Sequence, residues 1–200
     1  MRSPLYWHSK IYHGTMRLLY GPGYGARLEA VSERIQAGSS VVELCCADGR
    51  LYAQHLSGRV ARYVGFDLNA SFVKEALRRR VPAEVRDLRQ GEFPQADVVV
   101  LQGSLFQFGP DHAEFIRRMV RAARSRVIVA EPVRNLAASA NPLVAWLASR
   151  LTDPGTHPMA ERFDEAGFRG LLSLFTIVEF VPIAGGRELL AVIDAAREDS

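Results

Sequence analysis

Ser40-Val41-Val42-Glu43-Leu44-Cys45-Cys46-Ala47-Asp48-Gly49 is the stretch that decides the fold. Its first five residues form a largely apolar run of strand length, which predicts a buried strand over residues 40–44. Small residues follow at positions 45, 47 and 49, and a helix is expected over Gly49–Leu56. Small side chains let a ligand approach the backbone, and a helix N-terminus offers unpaired N–H groups. The stretch therefore predicts a strand, a tight ligand-binding turn and a helix.

Strand-like and helix-like segments alternate along the rest of the chain, which is typical of a parallel sheet covered by helices. Further strands are predicted over Ala61–Phe66, Glu84–Val85, Asp97–Leu101 and Arg126–Ala130. Helices are predicted over Ser71–Arg80, with Asn69 as N-cap, over His112–Arg124, capped by Asp111, and after Asp164. Ile177–Ile183 and Glu188–Ile193 are expected to form a hairpin that turns at Gly185-Gly186. The predicted fold class is α/β, with a seven-stranded, mostly parallel sheet, helices on both faces and a C-terminal antiparallel hairpin.

Composition excludes several classes of protein. The chain has 200 residues, 48% apolar and 24% charged, which is close to the average of globular proteins and unlike a disordered chain. No apolar run approaches the ~20 residues of a membrane span, and the N-terminus lacks the apolar core of a secretory signal. The two cysteines are neighbours, so we expect no disulfide framework, no metal site and a cytoplasmic location.

The basic residues are almost all arginine, since Lys10 and Lys74 are the two lysines of the chain. A coding bias and the binding of phosphate groups both account for this usage. The arginine runs are expected on solvated helix faces, away from the carboxyl edge of the sheet. Charge alone therefore does not indicate a nucleic-acid-binding protein.

The spacing of Glu43, Cys45, Ala47 and Gly49 carries a family resemblance. It resembles the first motif of class I S-adenosylmethionine-dependent methyltransferases, in which an acidic residue and then G-x-G-x-G join the first strand to the first helix. Cys45 and Ala47 stand where that family has its first two glycines. A dinucleotide fingerprint, G-x-G-x-x-G, would instead require glycine at Arg50. The resemblance implies a Rossmann-like fold and S-adenosyl-L-methionine as cofactor.

Acidic residues at the ends of the next two strands extend the resemblance. Asp67 stands where the family holds both ribose hydroxyls, and Asp87 where it accepts from the adenine amino group. Gln102 and Gly103 stand where the family lines the methionine half of the cofactor. The alternative is an ordinary structural role: Glu43 would then be a lone carboxylate at a strand end, and Asp67 and Asp87 would be turn or cap residues. The cofactor-binding residues that the resemblance implies are Glu43, Leu44, Cys45, Cys46, Ala47, Asp48, Gly49, Asp67, Leu68, Asp87, Leu88, Gln102 and Gly103.

Two segments flank the core of one predicted methyltransferase-like domain. Residues 1–38 are expected to form a helical, aromatic lid, and residues 135–160 a lid or cap insertion, because that connection is unusually long. The cofactor-binding core is assigned to residues 39–134, and the last helix and hairpin to 161–195. Candidate catalytic or lid residues are His13, Tyr20, His157, Tyr12 and Tyr24; the aromatic ones among them also suit packing under the sheet.

These observations predict a methyltransferase for a small, partly hydrophobic acceptor. The apolar stretch Leu143–Leu147 suits a substrate cap, a dimer face or a membrane-touching helix. Gln102-Gly103-Ser104-Leu105 follows the fourth strand instead of the Asn-Pro-Pro-Tyr type of motif that accompanies base flipping, so nucleic acid is not expected as partner. A lipid or quinone methyltransferase at the membrane surface and a non-catalytic S-adenosylmethionine-binding relic stay open, as do monomer and homodimer.

Overall fold

The computed structural model describes residues 23–133 and 162–198, which build a seven-stranded sheet. Five strands in the order β3-β2-β1-β4-β5 are parallel, and β7 and then β6 continue the sheet antiparallel. The predicted fold class is thereby confirmed. The strands are β1 Ser40–Leu44, β2 Arg62–Asp67, β3 Ala83–Val85, β4 Ala96–Gln102, β5 Ala123–Pro132, β6 Ile177–Ile183 and β7 Glu188–Asp194.

Five α-helices lie among the described residues: α1 Gly23–Glu33, α2 Ala70–Arg78, α3 His112–Ala122, α4 Glu165–Leu172 and α5 Ala195–Glu198. Short 3-10 turns occupy Leu105–Phe108 and Ala184–Gly186, and π-type hydrogen bonding runs over Tyr52–Leu56. The prediction of a helix over Gly49–Leu56 was wrong at its start and in its type. Gly49 lies outside the helix at a φ of 72°, and the helical residues begin at Arg50.

Helices cover both faces of the sheet because the side chains of each strand alternate between two apolar layers. Val42 and Leu44 of β1 face the layer that contains α3 and α4, whereas Val41 faces the layer that contains α1 and α2. The central strand β4 is apolar on both faces from Val98 to Leu101, and all four of these side chains are buried. This is the composition expected of a parallel strand covered twice.

The strand order reverses between β1 and β4. From β1 the chain proceeds outward to β2 and β3, and then returns to place β4 on the other side of β1. In open α/β sheets a crevice forms at the carboxyl ends of the strands where the order reverses, and ligands bind there. The ends of β1, β2, β4 and β5 at this edge are therefore the place to look for a functional site.

The ends of the helices confirm the sequence predictions in part. The helix predicted over His112–Arg124 ends at Ala122, because Ala123 already pairs with Ala96 in the β4–β5 ladder. Asp111 occupies the N-cap position of this helix, as predicted, but its side chain makes no capping hydrogen bond. The Asn69 cap is confirmed, since its side chain accepts the Ser71 N–H at 3.0 Å.

The hairpin of β6 and β7 turns at Gly185-Gly186, as predicted. Its connection is the 3-10 turn Ala184–Gly186, in which all three residues have positive φ. The two glycines take this conformation without steric cost, as their position in the sequence suggested. Ala184 at a φ of 49° is the residue that extends the turn.

Candidate functional site

The turn between β1 and the first helical segment has the backbone of a glycine-rich loop without its first two glycines. Cys45 has a φ of 55° and Ala47 a φ of 49°, both in the left-handed region that favours glycine. This conformation costs a non-glycine residue about 1–2 kcal/mol. Two hydrogen bonds hold it in place: Cys46 N–H donates to Phe66 O at 3.0 Å, and Gly49 N–H donates to Cys46 O at 2.9 Å. The path of the turn is thus fixed by the fold around it.

Gly49 is required for a steric reason as well as for its φ of 72°. A Cβ atom at this position would lie 2.6 Å from Cγ1 of Val81, a residue of the buried core. Carbon atoms pack at about 3.5–4.0 Å, so even a methyl group would force the core apart. The close approach of the turn to Val81 explains why this last glycine of the pattern is the one that the sequence keeps.

Asp67 joins the end of β2 to the turn. Its Oδ2 accepts the Ala47 N–H at 2.9 Å and its Oδ1 accepts the Asn69 N–H at 2.8 Å. Burial raises the pKa of this carboxyl, while the two N–H donors act to lower it. A carboxylate oxygen accepts two hydrogen bonds, so both oxygens of Asp67 retain capacity for a pair of hydroxyl donors.

Asp48 fastens the turn to α2. Only 1% of the residue is exposed, and its carboxylate pairs with Arg79, just past the end of α2, and lies 3.5 Å from Nε of Arg50. Arg79 also contacts Glu75 of α2 at 3.2 Å. The side chain of Asp48 is thus engaged in ion pairs that hold the turn against the end of α2.

Glu43 is buried at the end of β1 between two hydrogen-bond donors. The Tyr63 hydroxyl donates to its Oε2 at 2.5 Å, and the Gln102 Nε2 donates to its Oε1 at 3.0 Å. Burial raises the pKa of Glu43 to about 7, against the two donors and the charge of Arg27, which lower it. The carboxyl therefore gains its charge near neutral pH, and its ionised form accepts from both neighbours.

Gln102 is the last residue of β4, and Gly103 follows it next to Arg27 of α1. Gly103 has a φ of 57°, and its N–H donates to Ala130 O at 2.7 Å. A Cβ at Gly103 would lie 2.9 Å from Nη1 of Arg27, so the guanidinium lies directly against this turn. Gln102 Oε1 is buried, and no donor among the described residues reaches it.

Arg27 brings α1 onto the carboxyl edge of the sheet. Its Nη1 lies 3.2 Å from Oε1 and 3.3 Å from Oε2 of Glu188, the buried first residue of β7. The contact joins positions 161 residues apart, which no local pattern of sequence reveals. Arg79 belongs to a run that was expected on a solvated helix face, but it pairs with Asp48 in the turn after β1.

Glu131 is the matching acid at the end of β5. It is 1% exposed, and its Oε2 accepts the Leu105 N–H at 3.0 Å. Burial raises its pKa to about 7, while the charges of Arg162 and Arg27 lower it. Glu131 thus fixes the start of the turn after β4, next to Gln102 and Gly103.

The two cysteines are neutral thiols in this structure. Burial raises the pKa values of both well above their usual range. Cys46 packs its sulfur against Gly65, where a Cβ atom would lie 2.7 Å away, and Cys45 hydrogen-bonds with Ser104. The raised pKa values favour the neutral thiol at both positions.

Four further residues were predicted to bind the cofactor: Leu44, Leu68, Asp87 and Leu88. Leu44 and Leu88 are buried in the core on the α3/α4 face, so a ligand at this edge would meet their backbone rather than their side chains. Leu68 is 45% exposed beside Asp67, and Asp87 follows β3 with its Oδ1 accepting the Arg89 N–H at 3.0 Å.

His13, Tyr12, Tyr20 and His157 lie outside the described residues, as does the predicted insertion at 135–160; Tyr24 falls within α1. The sequence interpretation missed Arg27, Tyr63, Arg79 and Glu188. Tyr63 alone left a signal, because it lies one alternation before Gly65, the register partner of Glu43, and so shares a face with that carboxyl.

Another depression, of about 440 Å³, opens at the opposite edge of the sheet beside Ser40, Arg62 and Gln95. It lies at the amino ends of the strands, away from the converging acids and the turn, and is not the candidate site.

Among residues 23–133 and 162–198, no group of three or more His, Cys, Asp or Glu residues is arranged to hold a metal ion. Within the same ranges no helix has the length and apolarity needed to cross a membrane.

Residues 42–130 match the family model described as a methyltransferase domain. No curated protein sequence matches the chain. Among similar solved structures is a putative methyltransferase of Haloferax volcanii in complex with the Trm112 methyltransferase activator, with a TM-score of 0.71, 14% identity and coverage of 98% of this chain and 99% of that chain. Magnesium protoporphyrin IX methyltransferase from Synechocystis with bound SAH has a TM-score of 0.66, 18% identity and coverage of 94% of this chain and 96% of that chain. A possible histamine N-methyltransferase from Thermotoga maritima has a TM-score of 0.67, 12% identity and coverage of 96% of this chain and 98% of that chain.

Proposed function

We propose that this chain, of which residues 42–130 match a methyltransferase domain, binds S-adenosylmethionine at the carboxyl edge of its sheet and transfers the methyl group to a small, partly hydrophobic acceptor. One observation supports this most strongly. The turn after β1 adopts positive φ at Cys45, Ala47 and Gly49, although the first two are not glycines, and Asp67 is hydrogen-bonded to that turn. Strained backbone of this kind clusters at ligand-binding sites, and here two strained residues lie in one turn at the carboxyl edge of the sheet, where ligands bind in such folds.

The residues present fit this cofactor by their chemistry. Asp67 offers the two acceptor oxygens that a vicinal pair of ribose hydroxyls needs. The small residues Cys45 and Ala47 allow a nucleoside to approach the backbone, and Asp87 supplies an acceptor for an adenine amino group. The cofactor supplies the activated methyl group on its sulfonium sulfur.

The chain's own contribution is positioning. Glu131 holds the turn after β4 through Leu105 N–H, and Asp48 holds the turn after β1 through Arg79. Alignment of two reactants and exclusion of water supply most of what such a transfer requires from a protein. His13, Tyr20 and His157 remain proposed contacts for the acceptor on the ground of their place in the two flanking segments.

The acceptor class rests on the apolar stretch Leu143–Leu147 and the aromatic N-terminal segment, which suit a cap that recognises buried apolar area. A similar protein of known structure is named for a porphyrin substrate, which is small and partly hydrophobic. A lipid or quinone at a membrane surface is the second candidate, because the same stretch suits contact with a bilayer. A relic that binds the cofactor without transferring its methyl group is the third.

Calorimetric titration with S-adenosylmethionine and S-adenosylhomocysteine tests the cofactor. Replacement of Asp67 by Ala should weaken binding by about 1.5–3 kcal/mol, the range for a lost hydrogen bond to a charged group. Asp97→Ala is the matched control, because Asp97 accepts from Ser40 at the opposite edge of the sheet. NAD should bind more weakly than either compound, and comparable or tighter binding of NAD would favour an oxidoreductase.

A transfer screen with a labelled methyl group over quinones, lipids, phenolic compounds, tRNA and duplex DNA tests the acceptor. Incorporation into a phenolic or another small compound is expected, and Asp67→Ala should abolish it. Incorporation into nucleic acid that Asp67→Ala also abolishes would overturn the acceptor class. Deletion of residues 142–150 should abolish turnover while cofactor affinity stays within about a factor of ten, or ~1.4 kcal/mol.

A further inference from the structure

We infer that the ion pair between Asp48 and Arg79 compensates for the absence of glycine at positions 45 and 47, by holding the turn after β1 in the conformation that binds the cofactor. This inference rests on the proposed function and deepens it, because it assigns Arg79 as a positioning residue of the cofactor site. Arg79 lies 31 positions after Asp48, just past the end of α2, and acts on the turn rather than on the cofactor.

The turn needs support from outside because two of its residues favour another backbone conformation. Glycine adopts positive φ about as readily as negative φ, whereas a residue with a side chain rarely does so. Cys45 and Ala47 nevertheless have φ values of 55° and 49°. Without support, only a fraction of the chains would have the turn in this conformation, and the apparent affinity for a ligand falls by that fraction.

Asp48 is placed to receive that support. It lies between the strained Ala47 and Gly49, and its side chain is buried. The carboxylate pairs with Arg79 Nη1, and the same nitrogen lies 3.5 Å from the backbone oxygen of Asp48. One cation therefore contacts both the side chain and the backbone of the residue next to Ala47, which restricts rotation at that point of the turn.

The end of α2 fixes Arg79 in turn. Arg79 uses its second terminal nitrogen, Nη2, for Oε1 of Glu75, one helical turn earlier, at 3.2 Å. Two residues after Arg79, Val81 lies so close to Gly49 that a Cβ there would be 2.6 Å from its Cγ1. The end of α2 thus meets the turn at two consecutive residues, through charge at Asp48 and through packing at Gly49.

Arg50 is a second cation beside Asp48, but it cannot replace Arg79 in this role. Its Nε lies 3.5 Å from Oδ2 of Asp48. Arg50 begins the helical segment that the turn enters, so it is part of the same local stretch of chain and connects the turn to no other element. The pair with Arg79 is the one that joins the turn to α2.

Calorimetric titration of the full chain with S-adenosylhomocysteine tests this role. Arg79→Gln should weaken binding by about tenfold, because only part of the chains then have the turn in its binding conformation. The free energy of unfolding in urea is the second readout. An ion pair with a purely structural role would lower the free energy of unfolding in Arg79→Gln and leave the affinity of the folded chain unchanged.

Glycine at position 47 supplies the decisive comparison, because it adopts the observed φ without strain. Ala47→Gly alone should leave the affinity within about threefold of the wild type. In the Ala47→Gly chain, Arg79→Gln should weaken S-adenosylhomocysteine by less than about threefold, so that the two changes are not additive. An equal loss in both backgrounds would show that the ion pair acts independently of the strain, and would overturn the inference.

Arg78→Gln is the matched control. Arg78 is the neighbouring arginine at the end of α2 and contacts the same Glu75 at 3.4 Å, so this variant removes a positive charge and an ion pair but keeps the contact with Asp48. It should leave the affinity unchanged. If Arg79→Gln fails to fold, Arg79→Lys takes its place in both backgrounds, because it keeps the charge but has one nitrogen for the two carboxylates that a guanidinium contacts separately. Its expected loss is about threefold beside Ala47, with no measurable loss in the Ala47→Gly chain.

The outcomes separate the inference from the proposed function. A wild-type chain that binds S-adenosylhomocysteine, together with unchanged affinity in Arg79→Gln or an equal loss in both backgrounds, overturns the inference while the proposed function stands. A wild-type chain that does not bind the compound refutes the proposed function and the inference with it. A loss that Ala47→Gly largely removes supports the assignment of Arg79 as a positioning residue.

Discussion

Replacement of Gly49 by alanine probes the tightest point of the turn. Two costs combine there. A φ of 72° costs an alanine about 1–2 kcal/mol, of which about 0.4–1 kcal/mol returns through the lower entropy of the unfolded chain. The new Cβ would also lie 2.6 Å from Val81 Cγ1 and 2.9 Å from its Cγ2, and overpacking of this kind costs about 1–3 kcal/mol. We expect a total destabilisation of about 2–4 kcal/mol.

Gly58→Ala supplies the matched control for this prediction. Gly58 has nearly the same backbone, with a φ of 74°, but no atom lies within 4 Å of the position of its Cβ. Urea unfolding should therefore show Gly58→Ala to be about 1–3 kcal/mol less damaging than Gly49→Ala, and the difference measures the clash alone.

A third variant shows whether Val81 causes that difference. In a Val81→Ala background both γ-carbons are gone, although Cβ of residue 81 remains 3.0 Å away, so the cost of Gly49→Ala should fall by about 1 kcal/mol. Equal destabilisation by Gly49→Ala and Gly58→Ala, or strict additivity of the Gly49 and Val81 changes, would refute this reasoning.

Two further predictions concern the same edge of the sheet. Ala47→Gly should be neutral or stabilise the fold by up to about 1 kcal/mol in urea unfolding, because it removes the strain of a φ of 49°. The control is Ala53→Gly in the exposed helical segment, which should destabilise the fold by about 0.5–1 kcal/mol. Destabilisation of equal size in both variants would contradict the strain at Ala47. Burial raises the folded-state pKa of Glu43 from 4.5 to about 7. Between these two pH values the folded chain binds more protons than the unfolded chain, so its stability falls as pH rises. This group contributes at most ~1.4 kcal/mol per pH unit. Urea midpoints at pH 5 and 7.5 should therefore differ less in Glu43→Gln than in the wild type, and an unchanged difference would show that Glu43 does not titrate in this range.

The strands were predictable from local sequence because their residue types suit the layers that cover them in the fold. The run from Val98 to Leu101 is apolar at every position and rich in β-branched valine, which is typical of a strand covered on both faces. The convergence of Glu43 and Asp67 was predictable for a similar reason, since each ends a parallel strand and the ends of such strands meet at one edge. The prediction that residues 45 and 47 form a tight turn also follows from their small size.

Contacts between distant segments were not predictable. Arg27 meets Glu188 across 161 positions, and Arg34 meets Glu179 across 145, so neither pair leaves a periodic signal. Asp48 reads as part of a ligand-binding turn, yet its side chain pairs with Arg79 because the turn and the end of α2 converge in space. The end of α3 at Ala122 is likewise set by the β4–β5 ladder, which overrides the helical pattern that continues to Arg124.

The binding of S-adenosylhomocysteine to the wild-type chain and to Asp67→Ala, measured by calorimetry with Asp97→Ala as control, tests the central claim most directly. The account predicts saturable binding with one site per chain, unchanged in Asp97→Ala and weaker by about 1.5–3 kcal/mol in Asp67→Ala. The absence of binding to the wild-type chain, or equal affinity in wild type and Asp67→Ala, would contradict a cofactor site built on Asp67 and the turn after β1.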